Sequence, residues 1–309
     1  SYSIAVDSSG NVYVSELYGY RVQKFTDTGA FLTKWGTQGS NDGEFDRSLG
    51  VAVDSSGNVY VADDHNNRIQ KFDSSGGFIT KWGTPGSGDG QFGGPAWVAV
   101  DSSGNVYVSD SSNHRIQKFT SAGVFITKWG IGGTGNGAFN FPMGVAVDNS
   151  GNVYVADNGN QRIQKFTNTG TYITQWGSYG SGNGQFAAPY GVAVDSSGDV
   201  YVADCFNHRV QKFTSAGGFI TTWGSNGASD GQFNYPYGVA VDSAGNIYVT
   251  DTSNLRVQKF AIGYTLLILT PTGGTTNPSP GTYTYAAGSA VSVTATPYLN
   301  YNFNYWVLD

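Results

Sequence analysis

Gly50-Val51-Ala52-Val53-Asp54-Ser55-Ser56-Gly57-Asn58-Val59-Tyr60-Val61-Ala62-Asp63 reads as two short strands around a tight turn. Val51-Ala52-Val53 and Val59-Tyr60-Val61-Ala62 are β-branched, small or aromatic, which suits a pleated, half-buried surface. Between them, Asp54 and Ser55 can bond their own backbone, and Gly57 tolerates positive φ. Asp63 to Asn67 makes a second turn. Arg68-Ile69-Gln70-Lys71-Phe72 alternates as a third strand, Asp73-Ser74-Ser75-Gly76 turns again, and Phe78-Ile79-Thr80-Lys81-Trp82 is a fourth. No stretch carries a helical period.

The same block recurs every 47 residues, with Ala-Val-Asp at Ala5, Ala52, Ala99, Ala146, Ala193 and Ala240. Trp35, Trp82, Trp129, Trp176 and Trp223 keep the same step. A strict internal period of this size marks a repeat array. Four short antiparallel strands per copy fit the blade of a β-propeller, so the expectation is an all-β fold with six four-stranded blades. The expected blades are 1–47, 48–94, 95–141, 142–188, 189–235 and 236–270, followed by a small β module over 271–309. Val51-Ala52-Val53 belongs at the crowded axis, and the strand with Phe78 and Trp82 belongs outside. The recurrent Tyr60, Phe72, Phe78, Trp82 and Phe92 are expected to fill the gaps between blades. The sixth copy loses the Phe-x-Thr-Lys-Trp signature. Leu266-Leu267-Ile268-Leu269-Thr270 stands in its register and is expected to be the outer strand of that blade.

The chain has 309 residues, a net charge of −6 and only 12% charged residues. Of its 16 basic residues, 12 occupy one recurring Arg and one recurring Lys position, which leaves no basic cluster to follow a phosphate backbone. No apolar run is long enough for a membrane-spanning helix. The single Cys205 forms no intramolecular disulfide. The glycine-, serine- and threonine-rich composition resembles secreted or surface-displayed prokaryotic proteins, so an extracellular or cell-surface location is expected. The chain starts inside its first copy, and the natural chain is expected to extend past Asp309.

Gly-Val-Ala-Val-Asp, Asn-Val-Tyr-Val-Ala-Asp and Asn-His-Arg-Ile-Gln-Lys-Phe together resemble the NHL repeat family. Asn113-His114-Arg115, Asn207-His208-Arg209 and Asn254-Leu255-Arg256 carry its motif over residues 1–260. The resemblance implies a six-bladed propeller that serves mostly as a binding or scaffold module, with lyases among its wider relatives. The tail resembles the small β-rich repeat of the internalin B type. It does so through Pro271-Thr272-Gly273-Gly274, Gly281–Gly288, Val291–Pro297 and Phe303-Asn304-Tyr305-Trp306. That resemblance implies a bacterial or archaeal surface protein.

Propeller geometry places the connections after strands two and four on one face, where they are longer and vary. Binding residues concentrate on variable loops held by a rigid scaffold. Six acidic residues end the second strands and each meets an Arg five residues on: Glu16 with Arg21, Asp63 with Arg68, Asp110 with Arg115, Asp157 with Arg162, Asp204 with Arg209, and Asp251 with Arg256. Across a tight hairpin these form charge-assisted structural pairs. A ring of carboxylates could alternatively hold Ca²⁺, which the accompanying Arg residues oppose. His65, His114 and His208 read as surface turn residues rather than metal ligands. Cys205 with His208 is the best catalytic pair on offer and a weak one. No catalytic residue, metal site or cofactor is therefore assigned.

Residues that break the repeat are the binding candidates: Tyr18, Tyr20, Trp97, Phe141, Tyr190, Phe206, Tyr235 and Tyr237. Aromatics with few charges nearby suit stacking on a glycan or packing against a protein partner. Tyr2, Leu49, Ala96, Met143, Tyr190 and Tyr237 share one repeat position, and the alternative reading is that they plug the channel mouth together. The expected function is a non-catalytic surface propeller acting as a binding or scaffold module. It could also self-associate as a subunit of a surface polymer or lattice, with the Leu266 run donated to a neighbour. The alternatives are a propeller lyase or hydrolase with an axial metal, and a glycan-binding adhesin.

Overall fold

The computed structural model describes residues 1–261, 263–268, 274–277, 279–286 and 294–297. Contacts divide the chain into two units, Ser1–Lys259 and Phe260–Asp309. The first is a six-bladed propeller with five four-stranded antiparallel sheets and a sixth that has three strands among the described residues.

The second blade shows why the sequence folds this way. Its strands are Ser48–Val53, Val59–Asp63, Arg68–Phe72 and Phe78–Trp82, each paired with the next. In the first turn Asp54 Oδ1 accepts the Ser56 and Asn58 N–H groups at 2.9 Å, and Oδ2 accepts the Tyr60 hydroxyl at 3.0 Å. One carboxylate thus fixes both the turn and the aromatic ring on the strand beyond it. Register then sets Asp63 opposite Arg68 and Ile69 opposite Trp82.

Blades join through contacts that repeat along with the sequence. Phe72 is fully buried, with Trp35 of the preceding blade at 5.9 Å and Phe45 of the preceding loop at 5.7 Å. Gly76 lies against Trp35, and a Cβ on it would come within 2.6 Å of the indole. Lys71 covers the Tyr60 ring at 5.0 Å and donates to the Ser121 carbonyl of the following blade at 3.2 Å. Near the axis Gly50 lets two inner strands touch; a Cβ there would stand 2.6 Å from Trp97 Cα.

The outer strands are less buried than expected. Phe78 is 37% exposed and Ile79 47%, whereas Tyr60, Phe72 and Phe92 are fully buried. A fourth strand is an edge, with no further strand paired to it among the described residues.

The sixth blade departs from the pattern. Its strands are Pro236–Val241, Ile247–Asp251 and Arg256–Phe260. The run expected as its outer strand does not take that place: Leu266–Ile268 belongs to Gly263–Ile268, which pairs with Gly281–Ala286. The hairpin chemistry explains the difference. Where the second blade has Asp73, whose Oδ1 accepts the Ser75 and Gly77 N–H groups, the sixth has Ala261. Where Gly76 turns at φ +94°, it has Tyr264. Leu269 and Thr270 lie outside the described residues.

The second unit has one further described pair, Gly274–Asn277 with Thr294–Pro297. Pro271–Gly273, Val291–Val293 and Phe303–Trp306, which carry part of its resemblance, lie outside the described residues.

Candidate functional site: the variable-loop mouth

The recurring acid–arginine pairs are structural members of the blade. Asp157 is fully buried, and its carboxylate accepts Arg162 Nε at 2.7 Å, Gln164 Nε2 at 3.0 Å, Asn160 Nδ2 at 2.9 Å and the Asn140 N–H at 2.8 Å. Arg162 then donates to the Thr134, Gly135 and Ala138 carbonyls of the preceding loop at 2.8 Å. Asp63–Arg68, Asp110–Arg115, Asp204–Arg209 and Asp251–Arg256 repeat this at 2.7–2.8 Å. Each carboxylate is committed to its own blade, so the five do not form an open cation ring.

The histidines fill a similar role. His114 Nδ1 accepts the Phe141 N–H at 3.1 Å and His208 Nδ1 the Tyr235 N–H at 3.2 Å. Asn67 and Gln161 hold the same position and accept the equivalent N–H groups of Gly94 and Ala188. These four combine a side-chain acceptor with a left-handed backbone, φ 52–56°; Tyr20 and Leu255 take the same backbone at φ 51° and 56°. That is why Asn, His and Gln interchange there.

The aromatic candidates divide into two groups. Tyr2, Trp97, Tyr190 and Tyr237 form a packed cluster rather than a free surface. Tyr2 stacks on Tyr237 at 4.9 Å, Tyr190 meets Tyr237 edge-on at 4.4 Å, and Trp97 lies 6.1 Å from Tyr2. Trp97 is buried, which corrects its expected exposure, and Tyr190 and Tyr237 are half-buried. Burial raises the Tyr2, Tyr190 and Tyr237 phenols above the ordinary tyrosine range, so all three remain neutral donors.

The second group is exposed. Phe206 packs edge-on against Tyr235 at 5.6 Å, and His208 lies 4.8 Å from Tyr235. Phe141 packs against His114 at 4.9 Å. Phe206, Phe141 and Tyr235 are 55%, 48% and 40% exposed, and Tyr18 is 75% exposed. Tyr20 is half-buried and packs against the core cluster that includes Tyr13, Val22 and Phe45.

Two features escaped the sequence reading. One residue past each recurrent acid stand Leu17, Asp64, Ser111, Asn158, Cys205 and Thr252, six different residue types at one repeat position. Asp64 joins a charged cluster with Arg47 Nη1 at 3.7 Å and His65 Nε2 at 3.7 Å. Arg47 and His65 are 2.9 Å apart, and His65 Nδ1 lies 3.5 Å from Asp46. Burial pushes the Asp64 carboxyl up. Comparing Arg47 and Asp64 with their equivalents in the other copies would have flagged both.

Cys205 is fully buried, and burial drives its thiol well above the ordinary range. His208 Nδ1 is taken by Tyr235, so the thiol gains no base from it. Cys205 is expected to resist a thiol reagent at mildly alkaline pH and to react stoichiometrically once unfolded. Rapid labelling of the native protein would contradict its placement.

NHL repeats match residues 45–72, 92–119, 139–166, 186–213 and 233–260, and a divergent InlB B-repeat domain matches 264–309. No curated protein sequence matches the chain. Among solved structures, a virginiamycin B lyase from Staphylococcus aureus with quinupristin is 15% identical, with 84% of this chain and 79% of that one covered and a TM-score of 0.59. A gluconolactonase from Xanthomonas campestris is 16% identical over 81% and 82%, with a TM-score of 0.60. A protein of unknown function from Bacteroides thetaiotaomicron is 22% identical over 84% and 68%, with a TM-score of 0.65. At these identities the likeness is one of fold.

Proposed function

We propose that this protein, a six-bladed propeller of NHL repeats followed by a divergent InlB B-repeat domain, is a non-catalytic binding module at a cell surface. The exposed Phe206–Tyr235 pair beside His208 carries this reading. Large rigid rings, uncovered and held by a scaffold, gain more on meeting a sugar face or an apolar side chain than charged loops would. The InlB-type domain supports the surface location. The recurrent Asp, Asn, Arg and Gln side chains around Asp63, Asp110, Asp157 and Asp204 are engaged inside the blades, so reactive chemistry would have to come from other positions.

A glycan array tests the sugar form of this reading. Retained signal on the unaltered chain should fall by about tenfold or more in the Phe206→Ser, Tyr235→Ser double variant. Signal that survives both substitutions would remove this face from the function.

One observation favours a second reading, a lyase or lactone hydrolase. The Asp46–Arg47–Asp64–His65 cluster sets a half-buried acid, a cation and an imidazole together on the variable face. Turnover of a streptogramin B or an aldonolactone, lost in Asp64→Asn, would replace the non-catalytic reading.

A further inference from the structure

The outer strands of the second and third blades carry a protection that the fourth lacks. Lys81 Nζ pairs with Asp42 Oδ1 of the preceding loop at 2.6 Å, and Lys128 pairs with Asp89 in the same way at 2.6 Å. A lysine on an exposed strand edge resists pairing with another sheet. At the fourth blade both partners are replaced: Gln175 stands in the lysine position and Asn136 in the aspartate position. Gln175 Oε1 accepts Arg162 Nη1 at 2.6 Å instead.

The loss of charge extends along the chain. Phe166 to Val194, 29 residues, hold no Asp, Glu, Lys, Arg or His. The equivalent stretches of the first, second, third and fifth blades each keep at least one charge: Lys34, Lys81, Lys128 or Asp230. Within the uncharged stretch, Tyr172–Trp176 ends its sheet, with no further strand paired to it among the described residues. Ile173 is 44% exposed, and Tyr179, three residues past the strand, is 78% exposed. The other copies have Gln38, Pro85, Gly132 and Asn226 where Tyr179 stands. Asp157 and Arg162 of the same blade neutralise each other at 2.7 Å in its interior.

We propose that the Tyr172–Trp176 edge is a docking surface for a second copy of this chain. The two strands pair antiparallel about a two-fold axis and join two four-stranded blades into one continuous sheet. Charge selects this occupant. A copy brings the same uncharged edge, so the two-fold axis opposes no like charges, whereas the same meeting of second or third blades would bring Lys81 or Lys128 together with its own equivalent. A charged strand would find no counter-ion on this edge. Main-chain pairing supplies most of the affinity, as in strand addition, and Ile173 and Tyr179 add apolar area. One five-residue strand and its flanking side chains make a contact below the standard size of about 800 Å² per partner, so the dimer forms in a concentration-dependent way. The proposal does not depend on the Phe206–Tyr235 reading.

The test is sedimentation velocity on the full chain across a concentration series, joined to hydrogen exchange at low and high concentration. A monomer–dimer equilibrium is expected, with the amides of Tyr172–Trp176 slowing as the dimer forms while those of Phe78–Trp82 do not change. Ile173→Lys should raise the dimer dissociation constant by about tenfold or more, since it brings a like charge across the two-fold axis. The Asn136→Asp, Gln175→Lys double variant should weaken the dimer too. It re-creates the ion pair of the second blade, so the melting temperature of its monomer should stay nearly unchanged. Three results would overturn the proposal. They are a monomer at about 300 μM chain, a dimer whose affinity survives both sets of substitutions, or concentration-dependent protection confined to other strands.

Discussion

Asp157→Ala is expected to destabilise the propeller by about 3–5 kcal/mol, the usual cost of removing one partner of a buried ion pair. The carboxylate is inaccessible and accepts four hydrogen bonds. Its loss leaves a guanidinium that is 8% exposed without its counter-ion, and strands Gln164 and the Asn140 N–H. Arg162 also anchors the loop from the blade before, so the damage reaches two blades. The first blade provides an internal control. Glu16 faces Arg21, which is 35% exposed and bonds no preceding loop among the described residues. Glu16→Ala should therefore cost about 0–1 kcal/mol, in the range of a surface pair. Urea unfolding of both variants checks the contrast. Equal losses would mean that the pair, rather than its burial, sets the cost.

Interactions within one blade were largely legible in the sequence, because they join residues a few positions apart. Asp54 with Asn58 and Tyr60, or Asp63 with Arg68, follow from spacing and turn chemistry. Interactions between blades were not legible. They link positions 27 or 50 apart, as in Asn67 to Gly94 and Lys71 to Ser121, and no local pattern marks them. His114 and His208 therefore looked like ordinary turn residues, when each supplies an acceptor to the next blade. Trp97 looked like an exposed symmetry breaker. The close approach of inner strands at the axis, permitted by Gly50, buries it instead. Register alone suggested that Leu266–Thr270 continues the sixth blade. Ala261 and Tyr264 remove the turn that would have folded it back. The Asp64 cluster stayed hidden because Arg47 and Asp64 depart from the repeat in separate columns, and only the fold brings them together.

Phe119→Ala should cost about 3–5 kcal/mol, as expected for emptying a closed aromatic site. The ring is fully buried, with Trp82 at 5.9 Å, Phe92 at 5.6 Å and Phe125 at 6.0 Å. Three neighbours from two blades cannot all relax into the hole, so a cavity term adds to the lost transfer energy. Phe25 is the same residue at the same repeat position, but its ring contact is Phe31 at 5.9 Å and it is only half-buried. Phe25→Ala should cost less than half as much, measured by calorimetry on the same chain. The difference isolates what a covering strand contributes, since the two sites share their local sequence. A Phe25→Ala penalty as large as that of Phe119→Ala would show that local sequence, rather than burial by the neighbouring blade, sets the cost.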